Sequence, residues 1–248
     1  MKVLDDIISN LDLDAQVRDI RVGIFHTGVI TRNCGLASSL TSDALKKHEH
    51  GSPLVKDPGN LLKKGAEDLV KLAYSESLLE AAIGMAAINS LLQVDESNCL
   101  NLNAANLIAE KGRGKNIAII GHFPFIPKLR DIAKEVWVIE KNPREGDLSE
   151  SQSENYLPEA DVIGITGTSI TNHTIEALLA IRNPKAYLVV LGDTAPLSPV
   201  LFDYGIDAIS GTKVIDAGMA LQGVSEGATF RQIRGIAKLI MLKETVKR

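Results

Sequence analysis

From about residue 116 onward the chain repeats one unit: a short run of β-branched and other apolar residues, a Gly-rich or polar turn, then a stretch with helical spacing. The runs are Ile117–Gly121, Val136–Glu140, Val162–Thr166 and Tyr187–Leu191. Pro127–Ala133 and Asn172–Arg182 read as helices between them. The first carries Pro at a permitted first-turn position, and the second is stopped by Asn183-Pro184. Apolar runs without polar alternation are strands buried on both faces, and their alternation with helices predicts a parallel sheet covered on both sides. Ala208–Ile209 is expected to add a short strand and Thr229–Leu242 a final helix.

The first part of the chain follows a different pattern. Residues 3–10 have the spacing of a short amphipathic helix. Between Val17 and Leu40, β-branched residues lie among Gly23, Gly28 and Gly35, which predicts two or three antiparallel strands joined by tight turns. Lys46 to Gly59 reads as a loop. Glu67–Ala73 reads as a short helix, and Ser75–Val94 as a strong one, apolar around most of its circumference and so buried on more than one side. Asp95–Asn98 breaks that pattern. Asn103–Glu110 then reads as a connecting helix and Lys111–Lys115 as a flexible link. The fold class expected is α/β with two domains, residues 1–96 as α+β and residues 97–248 as a Rossmann-like parallel-sheet domain.

Composition narrows the function. With 45% apolar and 23% charged residues the chain is globular rather than disordered. A net charge of −4 and no long basic run argue against nucleic acid or an anionic membrane surface as partner. Met1–Asn10 is acidic and lacks an apolar core, so it does not read as a signal peptide. Leu78–Leu92 carries Glu80 and Asn89 and is too short to span a bilayer. The two cysteines, Cys34 and Cys99, form no C-x-x-C pair. A cytoplasmic protein with a small-molecule ligand is expected, and homo-oligomerisation is left open.

In a doubly wound sheet, ligands bind beyond the carboxyl ends of the strands. The turns there are distinctive: Gly121-His-Phe-Pro-Phe125, Glu140-Lys-Asn-Pro143, Thr166 to Thr174, Gly192-Asp-Thr-Ala-Pro196, and Ser210-Gly-Thr212 leading to Asp216. The first is not a dinucleotide turn. His122, Phe123 and Phe125 block close approach of a pyrophosphate, and Pro124 and Pro127 supply no N–H. Glu140, 19 residues after Gly121, stands where an acidic side chain can accept bonds from a ribose diol. In the Thr166 loop, Gly167 permits a tight turn, Thr168 and its neighbours offer hydroxyls, and Thr171 or Asn172 caps the next helix. His122 suits either a general acid–base role or packing beside the phenylalanines. His173 reads as a solvent-facing residue in the first helical turn. His48-Glu-His50 has metal-like spacing but sits in a polar loop and reads as exposed, and the two cysteines read as small buried hydrophobes. Asn89, a polar amide on an apolar helix, must find partners or meet a wet cleft.

Gly121-His-Phe-Pro-Phe, Asp161-Val-Ile-Gly-Ile-Thr-Gly-Thr, Asn172-His-Thr-Ile-Glu-Ala-Leu-Leu179 and Leu201 to Gly211 followed by Val214-Ile-Asp216 resemble the putative heavy-metal chelation family, a prokaryotic family of unknown function. The resemblance covers nearly the whole chain, with Gly84 to Asn89 matching the first domain's helix. It implies an enolase-N-terminal-like first domain, a site in the cleft between the domains, and a role in making or handling chelating molecules of pterin, flavin or siderophore type by condensation or hydrolysis. One departure stands out: where that family tends to have Gly-Pro-Ser, this chain has Gly192-Asp-Thr, so Asp193 adds a carboxylate.

Two main functions compete. The first is an enzyme using His122, Glu140 and Asp193 for proton transfer, with Asn89, Gly121, Phe123, Thr166, Gly167, Thr168, Asn172, Thr174, Gly192, Thr194, Gly211 and Asp216 binding the ligand. The second is a non-catalytic protein that binds a small molecule or a metal chelate. Direct chelation by side chains is disfavoured by scattered donors. A methyltransferase-like nucleoside site is supported by Glu140 and weakened by the missing glycine pattern. No motif assigns a cofactor or a metal ligand.

Overall fold

A computed structural model describes residues 1–47 and 53–246. Strands β1 (Asp19–Val22), β2 (His26–Ile30) and β3 (Cys34–Ser38) form an antiparallel sheet in the order β1-β2-β3. Gly28 and Gly35 sit inside its strands, not in turns, which corrects the sequence reading. The reason is close packing on both faces. A Cβ on Gly35 would lie 2.2 Å from the carbonyl of Ala86, in the long helix Leu78–Leu91. A Cβ on Gly28 would lie 2.3 Å from Leu221, in the helix Ala217–Ser225 on the opposite face. The sheet is thus sandwiched between a helix from each half of the chain.

The helix Leu78–Leu91 is buried around nearly its whole circumference, as its composition predicts. Its one charged residue, Glu80, is only 2% exposed. The carboxylate accepts from the Lys56 N–H at 2.7 Å and from Ser75 Oγ at 2.6 Å, so it ties down the chain on both sides. Glu80→Ala leaves two half-buried donors without their acceptor and is expected to cost about 1–2 kcal/mol, read from urea denaturation. A cost near zero would mean that the two contacts are replaced by water.

The second sheet has eight strands: β4 (Cys99–Leu100), β5 (Asn116–Ile120), β6 (Glu135–Glu140), β7 (Leu148–Ser149), β8 (Val162–Thr166), β9 (Tyr187–Leu191), β10 (Ala208–Val214) and β11 (Ile236–Leu242). Their order is β4-β11-β10-β9-β8-β5-β6-β7. The run β7-β6-β5-β8-β9-β10 is parallel throughout, while β11 and β4 are antiparallel to their neighbours. That run has the 3-2-1-4-5-6 order of doubly wound sheets, in which winding reverses between the first and fourth strands, here β5 and β8. Each central strand feeds two cores: Ile117 and Ile119 join one, Ala118 the other. The Ala118 core continues without a break into Ile83, Met85 and Ile88 of the long helix, so the two halves share apolar packing.

The C-terminal segment departs most from expectation. Thr229–Leu242 is not a helix. Residues 236–242 form β11, paired along all of β10, which runs seven residues rather than two. The apolar spacing fits a helix locally, but the exposed edge of β10 offers a full ladder of hydrogen bonds and tertiary pairing wins. Gly235, at φ +72°, makes the turn into β11. The helix Ala217–Ser225, capped by Asp216, was not expected either. The predicted helix Asn172–Arg182 is shortened to Ile175–Ile181, and a separate helical turn, Thr168–Thr171, precedes it. His173 lies at the break with φ +63°, outside either helix, and its Nε2 contacts the carbonyl of Ala73 at 2.8 Å. His48 and His50 lie outside the described residues. Among the described residues, no helix is long and apolar enough to cross a membrane.

Candidate functional site

Because β5, β6, β8, β9 and β10 are parallel, their carboxyl ends open on the same side. The turns after β5, β6, β8 and β9 line one cavity of about 1080 Å³ together with Ser210, Gly211 and Thr212, which lie inside β10 and not in a turn after it, and the first sheet closes its flank with His26 and Ser38. Of the residues expected at the site, Gly121, His122, Phe123, Glu140, Thr166, Thr168, Asn172, Thr174, Gly192, Asp193 and Gly211 line this cavity. Gly121 and Gly192 take φ values of +104° and +124°, which only glycine adopts without strain.

Four expected residues stand elsewhere. Asp216 caps the helix Ala217–Ser225, its Oδ1 accepting from the Met219 N–H at 2.9 Å. Gly167 lets two loops touch, since a Cβ there would lie 2.4 Å from the Ala195 nitrogen. Thr194 is fully buried and its Oγ1 accepts from the Ser38 N–H at 2.9 Å, which binds the first sheet to the loop after β9. Asn89 sits behind that loop, donating to the carbonyls of Leu36 at 2.8 Å and Thr194 at 3.3 Å.

Asp193 is the hub of the junction. It forms an ion pair with His26 Nε2, and both side chains are almost fully buried. Ser38 Oγ donates to both of its oxygens, at 3.1 and 3.3 Å. Burial alone raises a carboxyl pKa, but the bond and charge of His26, the Ser38 hydroxyl and the Thr194 N–H outweigh it and hold Asp193 below its ordinary value. His26 Nδ1 meets the carbonyl of Ala228 at 3.3 Å, so both ring nitrogens are engaged by the protein. Nothing in the local sequence marks His26, because only the packing of the first sheet against the β9 loop brings it to Asp193.

A second imidazole–carboxylate pair lies at the β5–β6 side. His122 Nδ1 meets Asp147 Oδ2 at 3.3 Å. The Asp147 side chain is 2% exposed and is held by the Arg144 N–H at 3.1 Å. His122 Nε2 has no hydrogen-bond partner among the described residues. Beside it, Glu140 accepts from the Lys141 N–H at 3.1 Å, and burial pushes its carboxyl pKa up despite that bond and one from the His122 N–H. Asp147 was missed because it lies beyond β6 in an unremarkable polar turn. Phe123 and Phe125 stack with ring centroids 5.3 Å apart. They supply an apolar wall where a phosphate-binding turn would have bare backbone.

The Thr166 loop is largely occupied by its own bonds. Thr166 and Thr168 hydroxyls lie 3.0 Å apart, and Asn172 Oδ1 accepts from Thr174 Oγ1 at 2.7 Å. Among the described residues, no three His, Cys, Asp or Glu side chains come together as a group that could hold a metal ion. Burial pushes the Cys34 thiol up to about 12, so it is held from the thiolate form that binds soft metals.

Residues 103–243 match a family model described as putative heavy-metal chelation, and residues 4–92 match a second model with the same description. An uncharacterized protein of Methanocaldococcus jannaschii is 27% identical over 242 residues, covering 94% of this chain and 92% of the relative. Two solved structures of DUF364-family proteins of unknown function share the fold. The one from Desulfitobacterium hafniense has a TM-score of 0.82 at 24% identity, covering 98% of each chain. The one from Pyrococcus horikoshii has a TM-score of 0.82 at 24% identity, covering 97% of this chain and 99% of the other. With both halves matched in order over most of its length, the chain belongs to the putative heavy-metal chelation family.

Proposed function

We propose that the protein is an enzyme that binds a small polar organic molecule, of heteroaromatic or chelator type, in the cavity at the strand ends and moves protons on it. The observation that carries this reading is the His122–Asp147 pair beside Glu140. A buried carboxylate orients an imidazole whose other nitrogen has no partner among the described residues, and burial raises the pKa of a second carboxyl above its ordinary value. His122 then accepts a proton while Glu140 in its acid form supplies one, or the reverse. No activated nucleophile accompanies them, which favours proton transfer over covalent catalysis.

Asp193 takes a positioning role in this reading. Its oxygens are held by His26 and Ser38, and it locks the first sheet onto the β9 loop. The matched segments 4–92 and 103–243 support a division of the chain near residue 97, with each part supplying one wall of the site. Chelation of a metal directly by side chains does not fit the donors among the described residues, so a metal connected with this family would be met as a complex of the organic ligand.

The same bonds also support a second reading, a non-catalytic binding protein, because His26 has no nitrogen left for substrate. Native mass spectrometry of freshly purified protein, repeated after denaturation and combined with metal analysis, separates the cases. A co-purified organic molecule identifies the ligand, and incubation then shows whether it is changed. His122→Gln and Glu140→Gln are each expected to lower turnover by about a hundredfold or more with binding retained. Unchanged turnover in the double variant, or recovery of an unaltered ligand under all conditions, would remove the enzyme reading. A bound metal without an organic molecule would contradict both.

A further inference from the structure

The carboxylates that line the cavity all have partners within the protein, and three of the lining cations have no carboxylate partner among the described residues. Each lining carboxylate is engaged by the protein: Asp193 by His26, Glu150 by Lys141 at 3.8 Å, Asp43 by the Asn142 amide at 3.0 Å, and Glu140 by backbone N–H groups. Lys128, Arg231 and Lys238 line the same cavity, yet among the described residues none of them forms an ion pair. Arg231 and Lys238 belong to the same stretch of chain, the turn into β11 and β11 itself.

The surroundings of these two cations are specific. Lys238 lies directly opposite Thr212 in the β10–β11 ladder, so the two side chains share a face of the sheet. Thr212 Oγ1 is buried and has no hydrogen-bond partner among the described residues. The Lys238 ammonium stands 4.6 Å from the centroid of the Phe230 ring, and Phe230 lines the cavity next to His26, ring centroids 6.0 Å apart. Arg231 and Lys238, neither with a carboxylate partner among the described residues, line this part of the cavity with Thr212, beside the Phe230 ring. A negatively charged group there would make charge-assisted bonds to the two cations. Lys128 belongs to another part of the cavity. It follows β5, three strands away from β10, which is about 14 Å across a sheet.

We propose that the end of the cavity formed by Thr212, Phe230, Arg231 and Lys238 is an anion subsite that takes a carboxylate or phosphate carried by the organic ligand. The inference rests on the reading of the cavity as a small-molecule site and adds to it: the ligand is an acid, anchored over β10–β11, with its reacting part directed toward His122 and Glu140.

Isothermal titration of the full chain at low salt with inorganic phosphate, and separately with citrate, tests it. The wild type is expected to bind at least one of them. Arg231→Gln/Lys238→Gln is expected to weaken that binding about tenfold or more, and added salt to weaken it further. Both side chains are exposed, so the fold should survive, and an unchanged thermal transition checks this. Lys185→Gln, at the opposite end of β9, is expected to bind as the wild type does. Preference for phosphate or citrate tells which acid the subsite is built for. If the double variant binds both anions like the wild type, the subsite is wrong. Should that variant also retain the same co-purified organic molecule, the reading of the cavity stands without it. If the wild type binds neither anion and carries no organic molecule, both fail.

Discussion

Asp193→Ala is expected to lower the folding stability of the protein by about 3–5 kcal/mol, the usual cost of removing one partner from a buried ion pair. His26 would be left buried with an unpaired ring nitrogen, and Ser38 Oγ would lose its acceptor. The loss falls on the contact that joins the first sheet to the loop after β9, so the walls of the cavity should separate as well. Urea denaturation measures the loss, and roughly 2–4 °C of thermal transition per kcal/mol provides a check in a chain of this size. A loss below about 1 kcal/mol would show that the pair behaves like an exposed one. Asp193 also makes a pH prediction. Its pKa in the folded protein lies below the ordinary 3.8, so the folded state prefers the ionised carboxylate. The stabilisation is therefore complete above about 3.8 and fades as the pH falls through the folded value. Asp193→Asn should remove that part of the acid sensitivity, and an unchanged acid limb in the variant would contradict the assignment.

Gly35→Ala is expected to destabilise by about 3 kcal/mol, the upper end of overpacking costs. The added methyl would meet the backbone of one helix at two points, 2.2 Å from the Ala86 carbonyl and 2.3 Å from the Ser90 nitrogen. Backbone cannot rotate away as a side chain can, so the helix Leu78–Leu91 must lift off β3. That helix also carries Asn89, which supports the β9 loop from behind. The variant should therefore lose ligand affinity along with stability. A variant as stable as the wild type would mean that helix and sheet slide apart without cost.

The parallel strands were legible because each is a self-contained signal. Ile117–Ile120, Val162–Thr166 and Tyr187–Leu191 are apolar on both faces, and a strand buried on both faces needs such a run wherever it lies. The turns that line the cavity were legible for the same reason: once strands are parallel, the residues after them share an edge. β11 was not legible. Its residues satisfy the helical period as well as the strand period, and the choice is made by β10, which lies more than twenty residues away in the chain. Gly28 and Gly35 were visible as glycines, but their purpose is the approach of Leu221 and Ala86, which no local pattern reports.

The sequence by itself determined the α/β class, the order of the parallel strands along the chain and the edge at which their polar turns gather. These follow from local patterns of burial and turn formation, each contained in a few consecutive residues. Tertiary structure alone decided that His26 meets Asp193, that Asp147 orients His122, and that Lys238 stands opposite Thr212 in the β10–β11 ladder. Those pairings join residues from 25 to more than 150 positions apart, and one of the pairs crosses between the two halves of the chain. Their physical cause is the packing of two sheets and a shared helix into one continuous core, which brings distant side chains within reach and buries them there.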